Sequence, residues 1–257
     1  MESAARPYVL TIAGFDPCSG AGLTSDLKTI EQLGGYGLAV CTANTIQTDS
    51  QFFRLKWESP SWVIRQLQEM LKRYPVSAVK IGIVESPELL LSILREIVSF
   101  NRDIAIVWDP ILKASTGFDF QPDHFQGKLK QLLKEGITVM TPNFQEMEKL
   151  VPDMEPAEAA KKWSKHGAIL LKGGHRADAP GEDLLFDDEH KEVLKAPTRA
   201  IAGPKHGSGC VLSAAIATHL ALGHHLKASC KAAKSYITQF LNSNDSLLGY
   251  HANLKES

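Results

Sequence analysis

Residues 8–46 read YVLTIAGFDPCSGAGLTSDLKTIEQLGGYGLAVCTANTI. The run Tyr8–Ala13 is apolar, rich in β-formers, and stops at Gly14, which predicts a strand. Leu23, Leu27, Ile30 and Leu33 then recur at helical spacing. Leu38–Ile46 is strand-like again. Strand, small-residue turn, helix and strand in about 40 residues make a βαβ unit, whose strands run parallel.

The same rhythm continues outward from this stretch. Trp62–Tyr74 is amphipathic and is stopped by Pro75. Ala78–Ile83 is a short strand, and Pro87 opens a helix through Phe100. Ile104–Trp108 is a buried strand ending at Asp109-Pro110. Phe125–Lys134 is helical, Ile137–Met140 a strand, and Phe144–Leu150 and Glu155–Lys165 are helices. Ala168–Leu171 is a strand running into Lys172-Gly173-Gly174. Asp183–Phe186 and Lys191–Leu194 flank a polar turn and predict a hairpin. From Gly207 the chain reads as a helical pair broken near Gly223. The expected fold is α/β, a three-layer α/β/α sandwich with a mostly parallel central sheet. Ligands of such sheets lie outside the carboxyl ends of the strands. Gly14, Asp109, Thr141-Pro142-Asn143 and Lys172 all follow predicted strands, so they converge on one rim.

The 257 residues suit a single domain spanning 1–257, since large α/β domains run to about 200–250 residues. With 28 basic and 29 acidic side chains the net charge is -1, which recruits neither nucleic acid nor an anionic membrane. No apolar run approaches the roughly 18 residues of a spanning helix. The opening MESAARPYVLTIAG lacks the apolar stretch of a signal peptide, so the expected location is the cytoplasm. There the four cysteines, which show no metal-type spacing, are expected as free thiols.

Lys205-His206-Gly207-Ser208-Gly209-Cys210 precedes VLSAAIATHLAL, a good apolar helix. Glycines ahead of a helix let backbone N–H groups face an anion, and the helix dipole adds about half a positive charge. A cysteine there is expected to have a lowered pKa and to accept a proton from a substrate hydroxyl. The plainer alternative is a turn capping a core helix, with Cys210 a small buried residue. His206 and His175 lie beside motifs, and for both an exposed imidazole is the simpler expectation. His124 has no ligand spacing.

HGSGC resembles the HGTGC signature of the hydroxymethylpyrimidine/phosphomethylpyrimidine kinases, members of the ribokinase-like superfamily. The resemblance extends to TIAGFDPCSGAGLTSDLKTIEQLGGYG, close to the family's TIAGxDPSGGAGIxADLKTxxxLGxYG. It continues through Thr42-Ala43, Gln47, Lys80-Ile81-Gly82, Asp109-Pro110, Thr141-Pro142-Asn143 with Glu146, and Lys172-Gly173-Gly174-His175. Order and spacing match over nearly the whole chain. The resemblance implies ATP-dependent phosphorylation of 4-amino-5-hydroxymethyl-2-methylpyrimidine and of its monophosphate, with Mg²⁺. It places Cys210 at the acceptor hydroxyl and Gly207, Ser208, Gly209 and Lys172 at the phosphates. It puts Gly14, Asp26, Gln47 and Ile83 around the pyrimidine. Asp109 and Glu146 would hold the metal, with Asn143 in support.

Other readings of these residues stand beside that one. Asp26 also reads as a first-turn charge favoured by the dipole. Asn143 and Glu146 also read as a capping box. A small β extension is expected near residues 36–56, and a homodimer is the expected assembly. Pyridoxal, another flat heteroaromatic with a hydroxymethyl arm, is the alternative substrate. A non-catalytic pyrimidine- or nucleotide-binding protein is the more distant one. The chain departs from the family pattern at Cys18, at Ser208, at Pro204-Lys205, at Lys113, and at Ile83, where methionine is usual.

Overall fold

A computed structural model describes residues 5–113, 118–120, 125, 127–174, 181–188, 190–195 and 203–251; His124 and His175 lie outside them. The elements in chain order are β1 (Tyr8–Phe15), α1 (Gly22–Gln32), β2 (Tyr36–Gln47), β3 (Phe52–Trp57), α2 (Pro60–Arg73), β4 (Val76–Ile81), α3 (Pro87–Phe100) and β5 (Ala105–Trp108). There follow α4 (Leu129–Lys134), β6 (Val139–Met140), α5 (Phe144–Leu150), α6 (Pro156–Trp163), β7 (Ala168–Leu171), β8 (Asp183–Asp187), β9 (His190–Leu194), α7 (Ser208–Ala221) and α8 (Leu226–Leu241).

All the described strands belong to one sheet in the order β3-β2-β1-β4-β5-β6-β7-β8-β9. From β2 to β7 the neighbours run parallel, while β3, β8 and β9 pair antiparallel at the edges. Successive side chains of a strand face opposite ways. Leu10, Ile12, Ile106 and Trp108 therefore pack on one face with Val63, Leu67, Leu90, Ile93, Leu132 and Met147, from α2 to α5. Val9, Ala78, Val107 and Val139 pack on the other with Ile30, Val211, Ala215, Ile216, Ile237 and Phe240, from α1, α7 and α8. Both faces are covered, so the strands carry continuous apolar runs. This is the expected three-layer α/β/α fold.

The chain order reverses at β1, which pairs with β2 on one side and β4 on the other. A crevice opens at such a switch point, outside the carboxyl ends of the strands. Hydrogen bonds past the strand ends carry the ladder onto the rim: Gly82 N–H donates to the Ile12 carbonyl (2.8 Å), Asp109 to Ile81 (2.8 Å), Thr141 to Trp108 (2.9 Å) and Lys172 to Pro142 (2.8 Å).

Two elements differ from expectation in extent. The β extension is not a separate unit. β2 pairs with β1 as far as Asn44 and with β3 from Ala43 onward, so one long strand serves both sheet and extension. The helix expected from Phe125 begins at Leu129, because Gly127 takes a left-handed conformation (φ 71°) that breaks the helical path. No helix among the described residues is long and apolar enough to cross a membrane.

Candidate active site

α7 is apolar on nearly every side, and Val211, Ala214, Ala215, Ile216 and Ala217 have no exposed surface. Burial all round fixes the helix between α1, α8 and the sheet, and so fixes where its N-terminus points. Its N-cap is Gly207, in a left-handed conformation (φ 73°) with no side chain capping the first turn. A β-carbon on Gly207 would stand 2.0 Å from the Gly20 carbonyl oxygen, so only glycine fits. Gly22 (φ 58°) likewise has no room, with the Gly14 carbonyl oxygen 2.2 Å from its missing β-carbon. The loop after β1 and the loop before α7 are therefore in backbone contact. The uncapped N–H groups of the α7 turn remain for an anion.

Cys210 sits in that turn, 6% exposed. The expected lowering of its pKa is overturned: burial pushes the thiol up to about 11, with Asp26 and Asp109 adding to the rise and Lys80 opposing it. Desolvation of a thiolate outweighs the dipole here.

Beside the turn lies a chain of charges. Asp109, fully buried, accepts from Lys172 Nζ (2.8 Å), Thr141 Oγ1 (3.0 Å) and Ser213 Oγ (3.2 Å). Lys172 Nζ is also 3.7 Å from Glu146 Oε2. Asp109 Oδ2 and Lys172 Nζ lie 3.6 and 3.4 Å from where a Gly209 side chain would begin. The lysine thus stands between two carboxylates and the glycine turn. Burial would raise the Asp109 carboxyl, yet Lys172 and Lys80 hold it below its ordinary value. Glu146 goes the other way: burial, with Asp109 nearby, pushes it up to about 7 against the pull of Lys172.

The capping box at Asn143 is present. Asn143 Oδ1 accepts from Glu146 N–H (2.8 Å), and Glu146 Oε2 accepts from Asn143 N–H (2.7 Å). Asn143 therefore orients Glu146, and the capping and supporting readings coexist. Two hard-oxygen carboxylates on one rim form a donor set that fits Mg²⁺.

Around the pyrimidine positions the outcome is mixed. Ile83 Cδ1 fills the space over Gly14, 2.6 Å from where a β-carbon on that glycine would stand, so these two expected residues do touch. Gln47 Nε2 donates to Thr45 Oγ1 (2.9 Å), whose hydroxyl donates to the Phe15 carbonyl (2.8 Å), holding the half-buried amide near the end of β1. Asp26 does not line the crevice. It has no exposed surface, and its Oδ2 accepts from Lys80 Nζ (2.7 Å) and Thr11 Oγ1 (2.6 Å). It is also beyond the first turn of α1. Both expectations for it give way to a buried ion pair.

Several residues have partners in the fold that the sequence does not announce. Lys80 hides inside a β-strand. Asp183 looks like a strand start, but its Oδ1 accepts from Gly173 N–H (2.9 Å) and its Oδ2 from Lys234 Nζ (2.6 Å), which fixes the loop after Lys172. His206 is not exposed as expected: it is 5% accessible, with Nε2 3.0 Å from Asp16 Oδ2. Lys205 turns away from the crevice and donates to Asn244 and to the Ser246 carbonyl, so that departure from the family pattern is structural. Ser19, where the family motif has glycine, has φ 61°.

Comparison with known proteins gives the family. The family model "Phosphomethylpyrimidine kinase" matches residues 16–254. A thiamine biosynthesis bifunctional protein of Geobacter sulfurreducens is 36% identical over 240 residues, covering 91% of this chain and 49% of that one, so the chain spans about half of that relative. The hydroxymethylpyrimidine/phosphomethylpyrimidine kinase of Aquifex aeolicus is 30% identical over 245 residues, 93% of this chain and 95% of its own. Among solved structures, phosphomethylpyrimidine kinase from Clostridium difficile superposes with TM-score 0.76 at 30% identity, covering 91% and 99% of the two chains. Pyridoxal kinase from Staphylococcus aureus with AMP-PCP and pyridoxal gives 0.80 at 27%, covering 95% and 92%. The ribokinase-like sheet thus has its counterpart in named kinases, and the chain belongs to the phosphomethylpyrimidine kinase family.

Proposed function

We propose that this chain, acting as a single kinase domain, transfers the γ-phosphoryl group of ATP to the hydroxymethyl oxygen of 4-amino-5-hydroxymethyl-2-methylpyrimidine, and then to its monophosphate. The observation that carries the reading is the uncapped α7 turn with Cys210 set against Asp109, Lys172 and Glu146. The family supplies the substrate class. The Gln47 amide offers a donor and an acceptor to an aminopyrimidine edge.

Phosphoryl transfer is mostly positioning and charge stabilisation. The Gly207–Cys210 turn and Lys172 receive the transferring group's charge, usually the larger contribution. Asp109 and Glu146, steadied by Asn143, would hold Mg²⁺, which would supply positive charge to the phosphates. Cys210 takes the hydroxyl proton. A thiol pushed up to about 11 is protonated at neutral pH, so only its minor thiolate form can take that proton. The protein is read as a cytoplasmic homodimer. The exposed Phe53 on the edge strand β3 and Ile46 beside it on β2 give that pairing an apolar surface.

Pyridoxal is a second reading, favoured by the close superposition on pyridoxal kinase. ADP release from Mg-ATP, measured with hydroxymethylpyrimidine, its monophosphate and pyridoxal side by side, decides. Turnover with the first two establishes both steps. Turnover mainly with pyridoxal keeps the fold and overturns the substrate. Full activity in both Cys210→Ala and Cys210→Ser would remove the cysteine from the mechanism.

A further inference from the structure

We propose that Asp16, Cys18 and His206 form a binding site for a thiophilic divalent cation of the zinc class, separate from the carboxylate pair at Asp109 and Glu146. Among the described residues no other trio of such side chains converges. Cys18 Sγ, one Asp16 oxygen and His206 Nε2 lie within 4.8 Å of one another. Asp16 Oδ2 is 3.2 Å from the sulfur and 3.0 Å from the imidazole nitrogen. Sulfur, nitrogen and carboxylate oxygen are zinc's own ligand types. Bonds of about 2.0–2.3 Å in a tetrahedral shell set ligand atoms about 3.3–3.8 Å apart, so the two contacts to Asp16 need open by only a few tenths of an ångström.

The surroundings hold these groups in place. Asp16 and His206 are buried, whereas Cys18 is half-buried and leaves a path for an ion and a water ligand. Backbone N–H groups of Cys18 (3.0 Å) and Ala21 (2.8 Å) donate to the Asp16 carboxylate and orient it. A β-carbon on Gly20 would stand 2.4 Å from His206 Cδ2, so the loop packs directly on the ring. Without an ion, burial and then the Asp16 hydrogen bond push the Cys18 thiol up to about 11, and Asp49 adds negative charge nearby. Binding therefore breaks the Cys18 S–H bond and releases that proton to solvent, and the His206 Nε2–H proton that faces Asp16 in the empty site moves to Nδ1, by exchange with solvent, to free the Nε2 lone pair. No redox change is involved.

An ion here ties the loop after β1 to the loop before α7, the two loops already in backbone contact beside Cys210. Zinc is then an inhibitor. That consequence rests on the reaction proposed above, but the binding does not. The test is a Cd²⁺ titration of the purified chain in saturating Mg²⁺, following thiolate-to-metal charge-transfer absorbance. The expected result is one equivalent bound, with affinity at least about tenfold weaker in Cys18→Ser. On the unaltered protein, peptide-resolved iodoacetamide labelling should show zinc protecting Cys18 and not the partly exposed Cys41. An absorbance change that persists in Cys18→Ser, or Cys18 labelling at equal rates with and without zinc, overturns the site.

Discussion

At the scale of single residues, burial raises two groups of the site whose proposed uses differ. Cys210, proposed above as the base, is pushed up to about 11, so the thiolate form that this role needs grows with pH. The rate kcat should climb between about pH 7 and 9, by up to about tenfold per unit, and Cys210→Ala should flatten that slope and lower kcat by about 10²–10⁴. Glu146, raised to about 7, is ionised only above neutrality. The Mg²⁺ concentration needed for half-maximal rate should therefore rise below pH 7, which a metal titration at several pH values measures. A raised carboxyl favours the folded state at low pH, and that advantage is lost as pH rises from its unfolded value of 4.5 through 7. Glu146→Gln should thus raise the melting temperature more at pH 8 than at pH 5. The sequence already puts Cys210, Lys172 and Asp109 on one rim, because each follows a strand or opens a helix. The direction of the Cys210 shift is not legible, since the thiol's burial depends on packing of elements far apart in the chain.

The elements themselves are readable almost throughout, because two-face burial writes strands as apolar runs and prolines mark the helix starts at Pro60, Pro87 and Pro156. Less legible is why the turns have their residues. Gly207 is required by the Gly20 carbonyl oxygen of the loop after β1, a contact no local pattern encodes. Gly207→Ala should cost more than the usual 1–2 kcal/mol of left-handed strain, because the methyl also meets the Gly20 carbonyl. It should lower both thermal stability and kcat/KM. The converse holds at Ser19, a half-buried non-glycine residue at φ 61°. Ser19→Gly should stabilise by up to about 1 kcal/mol in urea unfolding, the strain relieved being partly offset by added unfolded-chain freedom.

Taken whole, the molecule is a sheet whose catalytic rim is backed by a buried ion pair. Lys80 reaches from β4 to Asp26 on α1, both without exposed surface, and Asp26 Oδ1 has no hydrogen-bond partner. Lys80→Met strands a buried carboxylate and should destabilise by about 3–5 kcal/mol, while Lys80→Met with Asp26→Leu should recover much of that loss in urea unfolding. The pair is invisible in the sequence because its partners are 54 positions apart. That separation is typical of the site, which gathers Gly14, Ile83, Asp109, Asn143, Lys172 and Cys210 from end to end of the chain. The ribosome delivers β1 first and α7 late. Until α7 arrives, the sheet face built by Val9, Ala78, Val107 and Val139 has only α1 for cover. Folding must therefore wait on its most distant partner, a slow and aggregation-exposed route. The helix that carries Cys210 is thus also the one that seals this half of the core.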